Sequence, residues 1–157
     1  MREYFAILGY HADELMANNP WFSASTKIAT FQIDELQATK LRALYQRRKG
    51  RDLFDLWLTI SRGLLDPQRV ITCFGEYMSR ERHTVSRAQF EENLHEKQAD
   101  AAFLEEVKPL LSAEIAYDGT VALAQVRELL IEKLPGDPWR GVAPSAPKKP
   151  RPRRKKP

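Results

Sequence analysis

The 157-residue sequence has one cysteine, seven glycines that never stand side by side, and no apolar run longer than a few residues. A lone Cys73 excludes a disulfide framework and a cysteine-built zinc site, and fits a reducing cytoplasm. Runs as short as Leu56 to Ile60 exclude a transmembrane helix. Met1-Arg2-Glu3-Tyr4 precedes no apolar stretch of the kind a secretory leader needs, so none is expected. The chain has no Asp-x-Asp pair, no Gly-x-Ser-x-Gly and no G-x-x-x-x-G-K phosphate loop. His11, His83 and His95 lack metal-ligand spacing and read as surface or hydrogen-bonded histidines. Trp21, Trp57 and Trp139 are expected to be core or chain-anchoring residues.

What is present is globular composition, 43% hydrophobic and 29% charged, in a length that suits one domain with a small appendage. The net charge of +4 is misleading until it is located. Lys148, Lys149, Arg151, Arg153, Arg154, Lys155 and Lys156 contribute seven of the 25 basic residues, which leaves 18 against 21 acids elsewhere. The body is therefore mildly acidic, and the basicity belongs to a Pro/Ala/Lys/Arg tail that has too little apolar surface to fold. Such a tail is either an electrostatic handle for nucleic acid or a solubilising terminus.

Periodicity divides the rest. Residues 1–32 read as strand and loop, with a short apolar run at Tyr4 to Leu8 ended by Gly9. Asn18-Asn19-Pro20 marks a turn, and Phe22 to Phe31 a partly exposed strand. Residues 33–135 read as helices, and 136–157 as the disordered basic tail. The first helix is expected from an Asp34 N-cap to about Lys49, with Ile33, Leu36, Leu41, Leu44 and Tyr45 on its buried side and Gly50 as its end. A second runs from Asp52 through Ile60, buried, and ends at Gly63. Asp66-Pro67 opens a third through about Met78. Ser86 and Gln89 have capping-box spacing for a fourth over 87–98. A fifth is expected from Asp100 to Leu111, disturbed at Pro109, and a sixth from Val121 to Leu134. The fold class is α+β, predominantly α: a short N-terminal β segment followed by a helical bundle.

The chemistry concentrates between Asp34 and Trp57. At about 100° per residue, Lys40 falls beside Leu36 and Leu44, and Arg47 returns to nearly the same line seven residues later. A lysine at the edge of a core stripe needs a counter-ion, which is either a protein carboxylate or a ligand phosphate, unless its head snorkels into water. The mouth of a tight hairpin at Lys49-Gly50-Arg51 would gather Arg47, Arg48, Lys49, Arg51, Asp52 and Asp55. Cations there suit a triphosphate, and a nearby carboxylate can orient a lysine or a metal. Structural readings stand beside these: Asp52 as an N-cap, Asp55 as a partner of the helix dipole, and Arg51 paired with Asp55 on the surface.

The run from Thr39 through Leu56, T-K-L-R-A-L-Y-Q-R-R-K-G-R-D-L-F-D-L, resembles the C-terminal signature of the AbiEii/AbiGii toxin family of nucleotidyltransferases: a lysine, Ala-Leu, an arginine, then Arg-Asp-x-x-Asp. The resemblance covers roughly residues 2–135. It implies the helical half of a nucleotidyltransferase fold in a toxin–antitoxin or abortive-infection system. It further implies nucleoside triphosphate and Mg2+ as cofactors, an antitoxin as partner, and tRNA or another RNA as acceptor. Carried onto this chain, Lys40 contacts the nucleotide phosphates, Asp52 is the catalytic aspartate of this half, and Arg47, Arg51 and Asp55 support them.

The departure is the other half. The family's Gly-Gly or Gly-Ser turn and its Asp-x-Asp strand are absent, and Glu3 is the only acid near the place they would occupy. No complete metal site is therefore expected. The chain is expected to be a C-terminal part, inactive alone and needing an N-terminal half supplied separately. The alternatives are a non-catalytic helical module that binds nucleic acid through its tail, and an inactive relic.

Overall fold

Two long strands precede six helices in the computed structural model, which describes residues 5–141. The seven-cation tail, residues 1–4, and with them Glu3 and Tyr4, lie outside the described residues.

The strand predicted at 22–31 forms, and so does a partner that the sequence left inside a strand-and-loop region. β1 (Tyr10–Asn19) pairs antiparallel with β2 (Phe22–Phe31), in register from Tyr10 opposite Phe31 to Asn19 opposite Phe22. The turn at Asn19-Pro20 is as expected. The Asn19 side-chain oxygen accepts the N–H groups of Trp21 and Phe22, both at 3.0 Å, so the asparagine supplies the acceptor that the tight turn needs. The ribbon is exposed on both faces, and Trp21 at its tip is 91% exposed, which overturns its assignment to the core. The Phe5–Leu8 run does not become a strand. It lies against the helical core, where Phe5, Ile7 and Leu8 are partly buried.

The helices are α1 (Ile33–Gln46), α2 (Gly50–Ser61), α3 (Pro67–Arg80), α4 (Arg87–Gln98), α5 (Ala101–Glu105) and α6 (Gly119–Leu129). α1 packs mainly on α3 and α2, and α2 on α6. Their shared core centres on Leu41, Leu44, Leu53, Leu56, Phe74 and Phe90, all essentially inaccessible. Each leucine buried this way contributes about 1.5–3 kcal/mol.

Local signals placed α3 and α4 well. The Asp66 carboxylate accepts from Gln68 and Arg69 N–H with Pro67 at the first helical position, and Ser86 with Gln89 forms a reciprocal capping box. Other boundaries differ. α1 is preceded by Gln32, which makes no side-chain cap, while Asp34 sits inside the first turn and binds Asp66 N–H and Arg69. Ile33 and Leu36 are about 40% exposed rather than in the core. Gly50 opens α2 instead of ending α1, because a Cβ at that point would lie 2.2 Å from the Phe103 carbonyl oxygen. On α2 only one side is buried: Leu53, Leu56 and Thr59 are inside, while Phe54, Trp57 and Ile60 are half-buried. α5 stops at Glu105, and Pro109 falls in a separate 3-10 turn at Lys108–Leu110. α6 stops at Leu129 and is followed by a 3-10 turn at Ile131–Lys133.

Two buried carboxylates fasten the ends of the described chain. Glu35, in the first turn of α1, accepts from the N–H groups of Ile7 (2.5 Å) and Leu8 (2.9 Å) and from the Tyr77 hydroxyl (2.6 Å). Glu91 on α4 accepts the N–H of Trp139 at 2.7 Å, and the Trp139 ring lies against His95. Trp139 is thus a chain anchor, as expected.

Candidate functional site

The connection between α1 and α2 brings together most of the residues singled out in the sequence. α1 and α2 run as a hairpin, so Lys40 meets Asp55 and, nearer the connection, Arg47 meets Asp52. Lys40 Nζ lies 2.6 Å from Asp55 Oδ2, with both side chains about one third exposed. Asp55 is thus a protein carboxylate that serves Lys40 as counter-ion. Arg47 grips Asp52 with Nε and Nη2, both at 2.7 Å. Asp52 is fully buried, whereas Arg47 is 49% exposed. The paired carboxylate holds the Arg47 guanidinium above its ordinary value against the opposing effect of burial, and the charge of Glu106 adds to it. Two of Arg47's five N–H groups are used in this grip, which leaves donors on its exposed side.

Three readings of these residues need correction. Asp52 is not the N-cap of α2; Lys49 holds that position, and Asp52 is the third helical residue. Asp55 lies further into α2 and is taken by Lys40, so Arg51 does not pair with it. Arg51 and Lys49 are exposed at the surface, and Arg48 turns away to Asp100 (3.4 Å) and Glu96 (3.8 Å). The mouth of the hairpin therefore holds Arg47 and Asp52 together and disperses the other cations.

Two residues at this site carried no signal in the sequence. Glu106, just past α5, accepts the Gly50 N–H at 2.5 Å and so holds the first turn of α2. Lys97 on α4 is 3% exposed and binds the last carbonyls of α1. Burial and the neighbouring Arg48 push the Lys97 ammonium down to about 8, opposed by Asp52 and Glu96. Their partners lie 56 and 53 residues away in the chain, beyond the reach of any periodicity.

α1 ends at Gln46 rather than near Lys49, so Arg47 leaves the helical line of Lys40 as an extended C-cap residue, and the arrangement can present Lys40 from α1 and Arg47 from the α1–α2 connection to an anionic ligand. A divalent metal fits it poorly. Among the described residues no group of three or more His, Cys, Asp or Glu side chains could hold one, and Asp52 and Asp55 are each engaged by a cation. Among the described residues no helix is long and apolar enough to cross a membrane.

Comparison with known proteins gives one match. The family model described as nucleotidyl transferase AbiEii toxin, type IV TA system, matches residues 7–134, a span that contains every residue of the α1–α2 site. No curated protein matches the chain. No solved structure matches it either.

Proposed function

We propose, for a chain that belongs to the AbiEii nucleotidyl transferase toxin family of type IV toxin–antitoxin systems, that residues 33–135 form the triphosphate-contacting wall of a nucleotidyltransferase. In this reading Lys40 and Arg47 meet the phosphates of a nucleoside triphosphate, and Arg51 supplies a further cation from the surface of α2. Asp52 is the catalytic aspartate of this half, holds Arg47 in place, and Asp55 steers Lys40. Nucleotides pass from the triphosphate to an RNA acceptor such as tRNA, a hydroxyl of the acceptor bonding to the α-phosphorus as pyrophosphate leaves, in the cytoplasm, under control of an antitoxin protein.

The observation that supports it best is the pair of rungs between α1 and α2. Lys40 on α1 and Arg47 at its extended C-cap are each held by an α2 carboxylate and each still open to solvent. Cations of this kind offset charge on a transferring phosphoryl group, where catalysis rests mostly on positioning and electrostatics. Mg2+ in this chemistry offsets phosphate charge. The described residues do not fit it; in this reading the carboxylates that hold it belong to an N-terminal half supplied separately. This chain alone is then inactive and still binds triphosphate.

Titration of the full chain with ATP, followed by calorimetry, tests the reading. Lys40→Ala and Arg47→Ala should each weaken binding about tenfold, the loss of one charge-assisted contact. A Lys40→Ala protein that binds ATP as tightly as the parent counts strongly against it. The seven cations between Lys148 and Lys156 favour a second reading, in which a non-catalytic helical module binds nucleic acid through its tail. That reading requires a steep salt dependence that disappears when 142–157 is deleted, and unchanged affinity after the deletion removes it.

A further inference from the structure

We propose that Lys97, on α4 and remote along the chain from the 34–57 segment, is a positioning residue that fixes the end of α1 so that Arg47 faces Asp52. The inference deepens the nucleotide-binding reading, and its functional part rests on that reading.

A helix leaves its last four carbonyls without intrahelical partners and concentrates partial negative charge there. α1 has no basic side chain of its own in its last turn, and its C-cap residue, Arg47, is extended rather than left-handed. The capping comes from another helix. Lys97 Nζ donates to the carbonyl oxygens of Leu44 and Tyr45, the latter at 3.2 Å, and to Asn93 Oδ1 at 2.5 Å. These three bonds use all the hydrogens of an ammonium group, and a neutral amine has only two. The Tyr45 ring packs on Phe90 of α4 with centroids 5.2 Å apart, which closes the α1–α4 contact around the lysine.

Tyr45 is two residues before Arg47. Fixing its carbonyl therefore fixes where the chain leaves α1 and where the Arg47 side chain begins. The charged groups facing Lys97 are Arg48 from the α1–α2 connection, Asp52 from α2 and Glu96 from its own helix. Asp52 is thus shared: it is gripped by Arg47 and also lies in the field of Lys97. When Lys97 loses its proton, the Leu44 and Tyr45 carbonyls lose one donor, and the end of α1 is held less firmly where Arg47 begins. The grip of Arg47 on Asp52 then relaxes.

The test is the Arg47 guanidinium signal (15Nε and 13Cζ) in spectra of the full chain between about pH 6.5 and 10, where a buried lysine titrates if desolvation dominates. Arg47→Lys identifies the signal by its loss, and Asp52→Asn gives its position when the grip is broken. In the parent the signal should move toward the Asp52→Asn position with an inflection near pH 8. In Lys97→Met it should stay near that position at every pH. A parent signal that is flat across the range overturns the proposal, as does a folded Lys97→Met protein with a parent-like signal. If Lys97→Met does not fold, the parent profile decides alone. ATP titration then separates the two claims. Lys97→Met should bind about tenfold more weakly than a parent that binds. A parent that does not bind ATP sinks the nucleotide reading, while the Arg47 signal still judges Lys97.

Discussion

Arg47 and Asp52 are joined by two 2.7 Å hydrogen bonds across the α1–α2 connection, with the carboxylate fully buried and the guanidinium half in water. The asymmetry sets what each substitution does. Arg47→Met leaves a buried carboxylate without its cation and should cost about 2 kcal/mol, below the ~3–5 of a fully buried pair because water reaches the arginine side. Adding Asp52→Asn should recover part of the loss. Urea unfolding of the three proteins measures this, and a loss under about 0.5 kcal/mol for Arg47→Met would show that the pair holds nothing together.

The outer rung should behave differently. Lys40 and Asp55 are each about one third exposed, so their coupling in a double-mutant cycle with Lys40→Met and Asp55→Asn should be below about 1 kcal/mol. ATP affinity should still fall about tenfold in Lys40→Met. A lysine that matters for binding and little for stability is the pattern expected of a ligand contact, and a large stability loss with no change in affinity would reverse the assignment.

Glu91 makes stability sensitive to acid. Burial alone would raise its carboxyl, but the Trp139 N–H, the Arg87 bond, and the charges of Arg87 and Arg127 outweigh burial and hold it below 4.5. A depressed carboxylate contributes its stability above the unfolded value and loses it as pH falls through the folded one. The parent should therefore exceed Glu91→Gln in unfolding free energy at pH 7, and the gap should close as the pH drops below 4.5. A gap that persists unchanged at the acid end would mean that Glu91 acts through shape and not charge.

Two glycines should respond in opposite directions. Gly50→Ala puts a methyl 2.2 Å from the backbone oxygen of Phe103, so α5 must move, at a cost of about 1–3 kcal/mol. Gly75, inside α3, has nothing within 4 Å of its would-be Cβ, and Gly75→Ala should stabilise by about 0.5–1 kcal/mol through helix propensity. Thermal melts of the two variants should shift in opposite senses.

What could be read from the sequence was what neighbours in the chain decide. Asp66-Pro67 and Ser86 with Gln89 announce α3 and α4 because caps act over three residues. The Lys40 to Asp55 signature was legible for the same reason: two adjacent helices and their short connection carry all of it. Gly50 was misread as a terminator because the reason for it is a distant one, the approach of α5. β1 was missed because Asp13-Glu14 interrupts any alternation, and the strand is specified by its pairing with β2. Glu35, Lys97 and Glu106 were invisible because each serves a part of the chain at least 27 residues away.

The fastening at Glu35 has a mechanical consequence. β1 begins two residues after Leu8, and β2 ends two residues before Ile33, so both feet of the ribbon stand on the first turn of α1. There Glu35 holds the Ile7 and Leu8 N–H groups, and the Gln32 amide donates to the Leu8 carbonyl at 2.9 Å. Ten residues of strand make an arm of about 33 Å, and α1 continues beyond the pivot for about 17 Å. The ribbon is therefore a lever with its fulcrum at Glu35. A load applied at Trp21 is delivered to the first turn of the helix that carries Lys40, and through Tyr77 to α3.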